Sequence, residues 1–227
     1  MKTRAIVAMF ALLIPVALSA FGAGAAFAQT SVTVDPAEIN IGFMNVFNLP
    51  APDGDGAFQF ASSWGLPDLT AIYAGDILTL GPNSIDDPDP YWYLPSGGPG
   101  ATGNKIMEAN VYGESNGPLA GQNVVFSGAV IDNSFTSAHV VRAFIKDFAP
   151  DFSSFVESAV ILSGEGPFTV SLDAINDPDR HIQWGFQTIG VNVWITDVAP
   201  FGTMSIGPDG SVATENASFG GVKALYR

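Results

Sequence analysis

His139 and His181 are the only imidazoles in 227 residues, and the chain has no cysteine. Thiol chemistry is therefore excluded, and no Gly-x-Ser-x-Gly elbow offers an activated serine. Both histidines fall in strand-like runs, where a hydrogen-bonded sheet histidine is the ordinary outcome. No His-x-x-x-His or His-Glu-x-x-His spacing exists, so a zinc site of familiar pattern is absent. Paired carboxylates are the remaining catalytic option, because glycoside hydrolysis needs only two acids at a fixed gap. Glu108, Glu114, Asp147 and Glu157 lie in or near strands, while most Asp adjoin Pro or Gly, as in Asp87-Pro88 and Asp177-Pro178. Asp53-Gly54-Asp55-Gly56 has the flavour of a calcium loop but lacks the third acid and distal Glu of a helix-loop-helix site.

Flat rings supply a second kind of chemistry, that of docking. Tyr91-Trp92-Tyr93 places three aromatics in succession inside the Pro- and Gly-rich stretch from Gly81 to Gly103. Consecutive rings cannot all enter one core from a strand, so at least one is expected to face outward. An exposed ring suits the C–H face of a pyranose; alternatively the loop folds back as an apolar plug. Trp64, beside Gly65 and Pro67, has the same two readings.

The elements that must position these residues read as strands. Phe168 to Asp173 alternates apolar and polar, and so does His181 to Gln187, with Ile182, Trp184 and Phe186 on one side and His181, Gln183 and Gln187 on the other. Further candidates are Ser31 to Val34, Ile39 to Phe47, Phe58 to Ser62, Ile77 to Leu80, Lys105 to Tyr112, Val124 to Ile131, His139 to Phe148, Val156 to Leu162, Val191 to Val198 and Thr203 to Ile206. Turn residues punctuate them, and hardly any segment keeps a helical period. The expected fold is all-β, an antiparallel two-sheet β-sandwich of jelly-roll type.

Lys2 and Arg4 precede an uncharged apolar stretch, and Ala26-Phe27-Ala28 presents the small residues of a cleavage site. Residues 1–28 are thus expected to be a signal peptide, residues 29–207 one sandwich domain, and residues 208–227 a linker and tail, either frayed or ending in a short helix. The implied compartment is extracellular or periplasmic, with no transmembrane span. Without the leader, 22 acids face 6 scattered bases, which argues against nucleic acid and against an anionic membrane surface.

From Gly103 to Ile206 the order of features resembles the extracellular jelly-roll carbohydrate-binding modules of the galactose-binding-like superfold. The matching stretches are Asn104 to Ala109, Leu119 to Gly128, Ala143 to Phe148, Pro167 to Val170, Ile182 to Phe186 and Val193 to Val198. Such modules often hold a structural calcium through an acid of the final strand, which implies Asp197 here. Their sugar site commonly lies on a concave face, which implies Arg142, Gln183 and Gln187. The Tyr91 to Tyr93 loop has no counterpart in that family. The ending Gly221 to Arg227 looks like short tails on other secreted bacterial proteins. The expectation is a secreted, non-catalytic protein binding an extracellular glycan through Tyr91, Trp92, Tyr93, Trp64, Arg142, Gln183 and Gln187. Alternatives are a surface-associated protein that packs against copies of itself, with the aromatic loop as contact, and a glycan hydrolase or lyase on the same fold.

Overall fold

The computed structural model describes residues 28–210, so the expected leader apart from Ala28, and the expected tail beyond residue 210, lie outside the described residues. Along the chain run β1 (Gln29–Thr33), β2 (Ile41–Asn48), β3 (Phe58–Ser63), β4 (Ala71–Ala74), β5 (Ile77–Leu80), β6 (Ser84–Ile85), β7 (Tyr93–Leu94), β8 (Thr102–Gly103), β9 (Lys105–Asn116), β10 (Asn123–Asn133), β11 (His139–Phe148), β12 (Phe155–Ile161), β13 (Gly166–Asp173), β14 (His181–Val191), β15 (Val193–Trp194) and β16 (Met204–Gly207). Two short 3-10 turns, Pro67–Leu69 and Ala199–Phe201, are the helical content of the described residues. The protein is all-β with several sheets, one of them curled into a half-barrel. No helix among the described residues is long and apolar enough to cross a membrane.

Sheet I runs β12-β11-β14-β9-β2-β3 and is antiparallel throughout. In sheet II, β10 has β13 along one edge, while β1 and β16 share the other edge and β5 and β4 follow β16. Two small ladders, β6 with β15 and β7 with β8, complete the set. The pairing is not wholly antiparallel as expected, because β1 lies parallel to β10 and β15 parallel to β6. Each of these pairs joins segments far apart in sequence, so no hairpin imposes the antiparallel sense.

One apolar cluster draws residues from both large sheets. Phe126 of β10 lies 5.4 Å from Phe168 of β13 and 5.4 Å from Phe186 of β14. These rings bridge sheet II to sheet I, and burying each contributes about 1.5–3 kcal/mol. The alternation in β14 is realised: Ile182, Trp184 and Phe186 are buried in this cluster, which leaves Gln183 and Gln187 on the opposite face of sheet I.

Most strand limits follow the sequence reading, and the departures have local causes. The expected strand Val191 to Val198 shrinks to β15, because the chain turns where the Asp197 N–H donates to the Trp194 carbonyl at 2.8 Å. Strand β9 runs on to Asn116 through Gly113, where a side chain would meet the Glu38 carbonyl at 2.8 Å and the Trp184 ring at 3.0 Å. Strand β4 is too short to show a period. The stretch from Gly81 to Gly103 is pinned rather than free, because it supplies β6, β7 and β8 to the small ladders.

Candidate functional site

The three consecutive aromatics do different jobs. Tyr93 is fully buried, and its hydroxyl donates in the direction of two carbonyls, Ile85 at 2.7 Å and Val193 at 2.8 Å. One proton serves one of them at a time, and burial pushes this phenol above its ordinary pKa. Trp92 is buried against the edge of Tyr91, with centroids 4.9 Å apart, and its carbonyl accepts from the buried Asn192 amide. Tyr91 is half-buried, and the Lys105 ammonium sits 4.4 Å over its ring. The apolar-plug arrangement therefore accounts for this loop. Its central and last rings are not available to stack on a ligand, because both have become core.

Arg142, Gln183 and Gln187 do come together on one face, the side of sheet I away from the core. Register places Arg142, Gln187 and Asn110 in one row across β11, β14 and β9, and Lys146, Gln183 and Glu114 in another. Arg142 Nε donates to Gln187 Oε1 at 2.6 Å, while Gln187 Nε2 donates to Asn110 Oδ1 at 3.0 Å and Glu108 Oε2 at 3.2 Å. Arg142 also pairs with Glu157 at 2.7 Å, and Gln183 Nε2 donates to Glu114 Oε2 at 2.7 Å. Both glutamines are buried by these neighbours. The amides thus bond each other across strands instead of reaching outward, which removes the display of free hydroxyl-binding groups implied by the resemblance. Lys146 lies 4.3 Å over the buried Phe144 ring, and burial pulls its pKa down.

The residues singled out for acid–base chemistry are similarly engaged. His139 is buried, accepts the Asn83 N–H at 3.2 Å, and has its pKa lowered to about 4 chiefly by burial. His181 stacks on Phe152 with centroids 4.2 Å apart and has Nδ1 2.8 Å from Asn116 Oδ1. Asp147 is fully buried and held by Arg180 at 2.6 Å and by the Ile175 N–H at 2.8 Å. Asp197 Oδ2 accepts the Gly100 N–H at 2.6 Å, and its Oδ1 accepts the Thr196 hydroxyl at 3.1 Å. Among the described residues, no three His, Cys, Asp or Glu side chains gather in a way that would hold a metal. With a donor on each of its oxygens, Asp197 ties the Gly100 loop to the turn after β15.

Trp64 stands elsewhere, on the wall of an open cleft of about 500 Å³. Ser63 ends β3, Trp64 and Asp68 come from the segment after it, Ser84, Ile85 and Asp86 from β6 and its exit, and Ile195 directly follows β15. Local chemistry fixes each wall. The Trp64 N–H donates to the Gly42 carbonyl at 3.1 Å, an approach that requires glycine because a Cβ there would lie 2.3 Å from the Trp64 carbonyl oxygen. The indole Nε1 is satisfied by Ser62 Oγ at 2.8 Å, and the half-buried ring also packs against the core cluster. Thr70, in the left-handed region at φ 52°, accepts the Gly81 N–H at 2.8 Å through its carbonyl, and its hydroxyl lies 2.9 Å from the Pro82 carbonyl. Those bonds hold the Trp64 wall beside β6, and the parallel β6–β15 ladder brings in Ile195.

The floor carries an anomaly. Ser84 is 5% exposed, and its hydroxyl has no hydrogen-bond partner. A buried hydroxyl left unpaired costs about 1–3 kcal/mol. The lining includes the carboxylates Asp68 and Asp86 and no cation, so the cleft suits neutral or positively charged ligands and repels anions. Ser84, Asp68, Asp86 and Ile195 carry no motif in sequence, and only the β6–β15 crossover unites them with Trp64. No family model, curated protein or solved structure matches this chain.

Proposed function

We propose that the chain is an exported, non-catalytic binding protein whose Trp64 cleft takes one unit of a neutral or amino-bearing glycan. The observation that carries this reading is the pairing of a half-buried indole wall with the unpartnered Ser84 hydroxyl in a cleft whose charges are both carboxylates. A sugar ring stacks its C–H face on the indole, while its hydroxyls donate to Asp68 and Asp86 and exchange a hydrogen bond with Ser84. The shared core of sheets I and II supports reading them as the two layers of a jelly-roll sandwich. The basic, apolar and small-residue order of residues 1–28 supports export, with Gln29 as the first residue after cleavage.

Calorimetric titration against a panel of neutral, amino and uronic sugars tests the cleft. Neutral or amino saccharides are expected to bind, with at least a ~10-fold loss on Trp64→Ala and on Ser84→Ala. Uronic acids are expected not to bind. Silence across the whole panel, or binding indifferent to Trp64→Ala, would reject the proposal. Sequencing the amino terminus of exported protein checks the leader.

A further inference from the structure

Independently of the cleft, the free edge of sheet I calls for a partner. Strand β12 ends that sheet and spans seven residues, Phe155-Val156-Glu157-Ser158-Ala159-Val160-Ile161. It holds no proline, glycine or lysine, and its ladder with β11 has no bulge. Phe155, Val156, Val160 and Ile161 are 50%, 43%, 37% and 63% exposed, so apolar side chains meet solvent on both faces of the strand. Every other edge of the large sheets is blunted. Strand β13 carries Pro167, β3 has a register shift against β2, β4 is four residues long, and β1 is short and mostly polar.

The hydrogen-bond phase of β12 follows from its continuation. The Leu162 N–H donates to the Val141 carbonyl at 2.9 Å, in register with the β11–β12 ladder. In an antiparallel ladder, alternate residues turn both backbone groups to the same neighbour. Val156, Ser158 and Val160 therefore bond β11, and Phe155, Glu157, Ala159 and Ile161 turn their N–H and C=O groups outward.

We propose that this edge is a homodimer junction, in which two copies of the chain pair β12 with β12 antiparallel about Ser158. The sequence is its own complement in that register. Phe155 faces Ile161 of the second copy, Val156 faces Val160, and Glu157 faces Ala159, so no like charges oppose each other directly. The four outward residues of each copy all fall in hydrogen-bonded pairs, and the junction closes with eight backbone hydrogen bonds. Charge permits the approach although the whole chain is strongly acidic. Arg142 and Lys146 hold Glu157 at 2.7 Å and 3.7 Å, so the one carboxylate of the strand is compensated by neighbours within its own copy. The pairing consumes the same edge on both copies, so it makes a closed two-fold dimer rather than a fibre.

Sedimentation of the mature full-length protein from about 1 to about 500 µM is expected to show a monomer–dimer equilibrium with Kd on the order of 10 µM. Ala159→Pro removes an outward N–H while sparing every bond to β11, and Ile161→Lys places a charge on the most exposed apolar side chain of the strand. Each should weaken the dimer at least ~10-fold with an unchanged circular dichroism spectrum. Amide exchange adds a signature specific to the register. Phe155, Glu157, Ala159 and Ile161 should become protected only as concentration rises, whereas Val156, Ser158 and Val160 are protected throughout. A strict monomer over the range, a dimer indifferent to both variants, or outward amides already protected in the dilute monomer would each overturn the proposal.

Discussion

His139 makes the stability of this protein depend on pH in a calculable way. Its ring lies between Phe135 and Phe201, with centroids 5.8 Å and 5.7 Å away, and burial holds its pKa at about 4 against the ordinary 6.5. The Val191 backbone pulls weakly in the opposite direction, and Nδ1 is left without a hydrogen bond of good geometry. The unfolded chain takes up this proton near pH 6.5, whereas the folded chain refuses it until about pH 4. Stability is therefore intact above pH 6.5, declines between 6.5 and about 4, and loses nothing further from this group below that. At about 1.4 kcal/mol for each pH unit, the loss comes to about 3 kcal/mol. His139→Gln tests it, because a neutral amide oxygen can still accept the Asn83 N–H. Urea unfolding at pH 7.5 should show the variant about 1–2 kcal/mol less stable, from lost ring packing. The difference should shrink steadily as pH falls and vanish or reverse near pH 4, since the carboxylates titrate in both proteins and cancel in the comparison. Parallel stability curves for the two proteins across that range would refute the assignment.

Arg180→Ala should cost about 3–5 kcal/mol, read from chemical unfolding, because it strands the fully buried Asp147 carboxylate. The double variant Arg180→Met with Asp147→Asn should recover part of that loss. Gly185→Ala should destabilise by about 1–3 kcal/mol or more, because a Cβ there would lie 2.2 Å from the Val111 carbonyl oxygen. Gly164→Ala, which meets nothing within 4 Å, should change the unfolding midpoint little. Asp197→Ala should speed proteolytic cleavage around Gly98–Gly100 by releasing the Gly100 N–H, at a global cost of about 1 kcal/mol.

What the sequence determined by itself was local. Alternation and turn residues marked nearly every long strand, since the period of two and the needs of Asp, Pro and Gly in turns act within a few neighbours. Strands β5 and β11 begin and end where the pattern placed them, and Phe186 faces the core as its alternation required. Tertiary structure alone decided which polar and aromatic groups are spent and which are free. Tyr93 is interior because carbonyls of Ile85 and Val193, the latter 100 residues away, meet at its hydroxyl. Gln183 and Gln187 are covered because β9 and β11 set acids, amides and an arginine beside them in register. The Trp64 cleft exists because a parallel two-residue ladder carries Ile195 to Ser84. Such groupings depend on strand order and register, which are settled by packing the whole core and leave no trace in the spacing of residues along the chain.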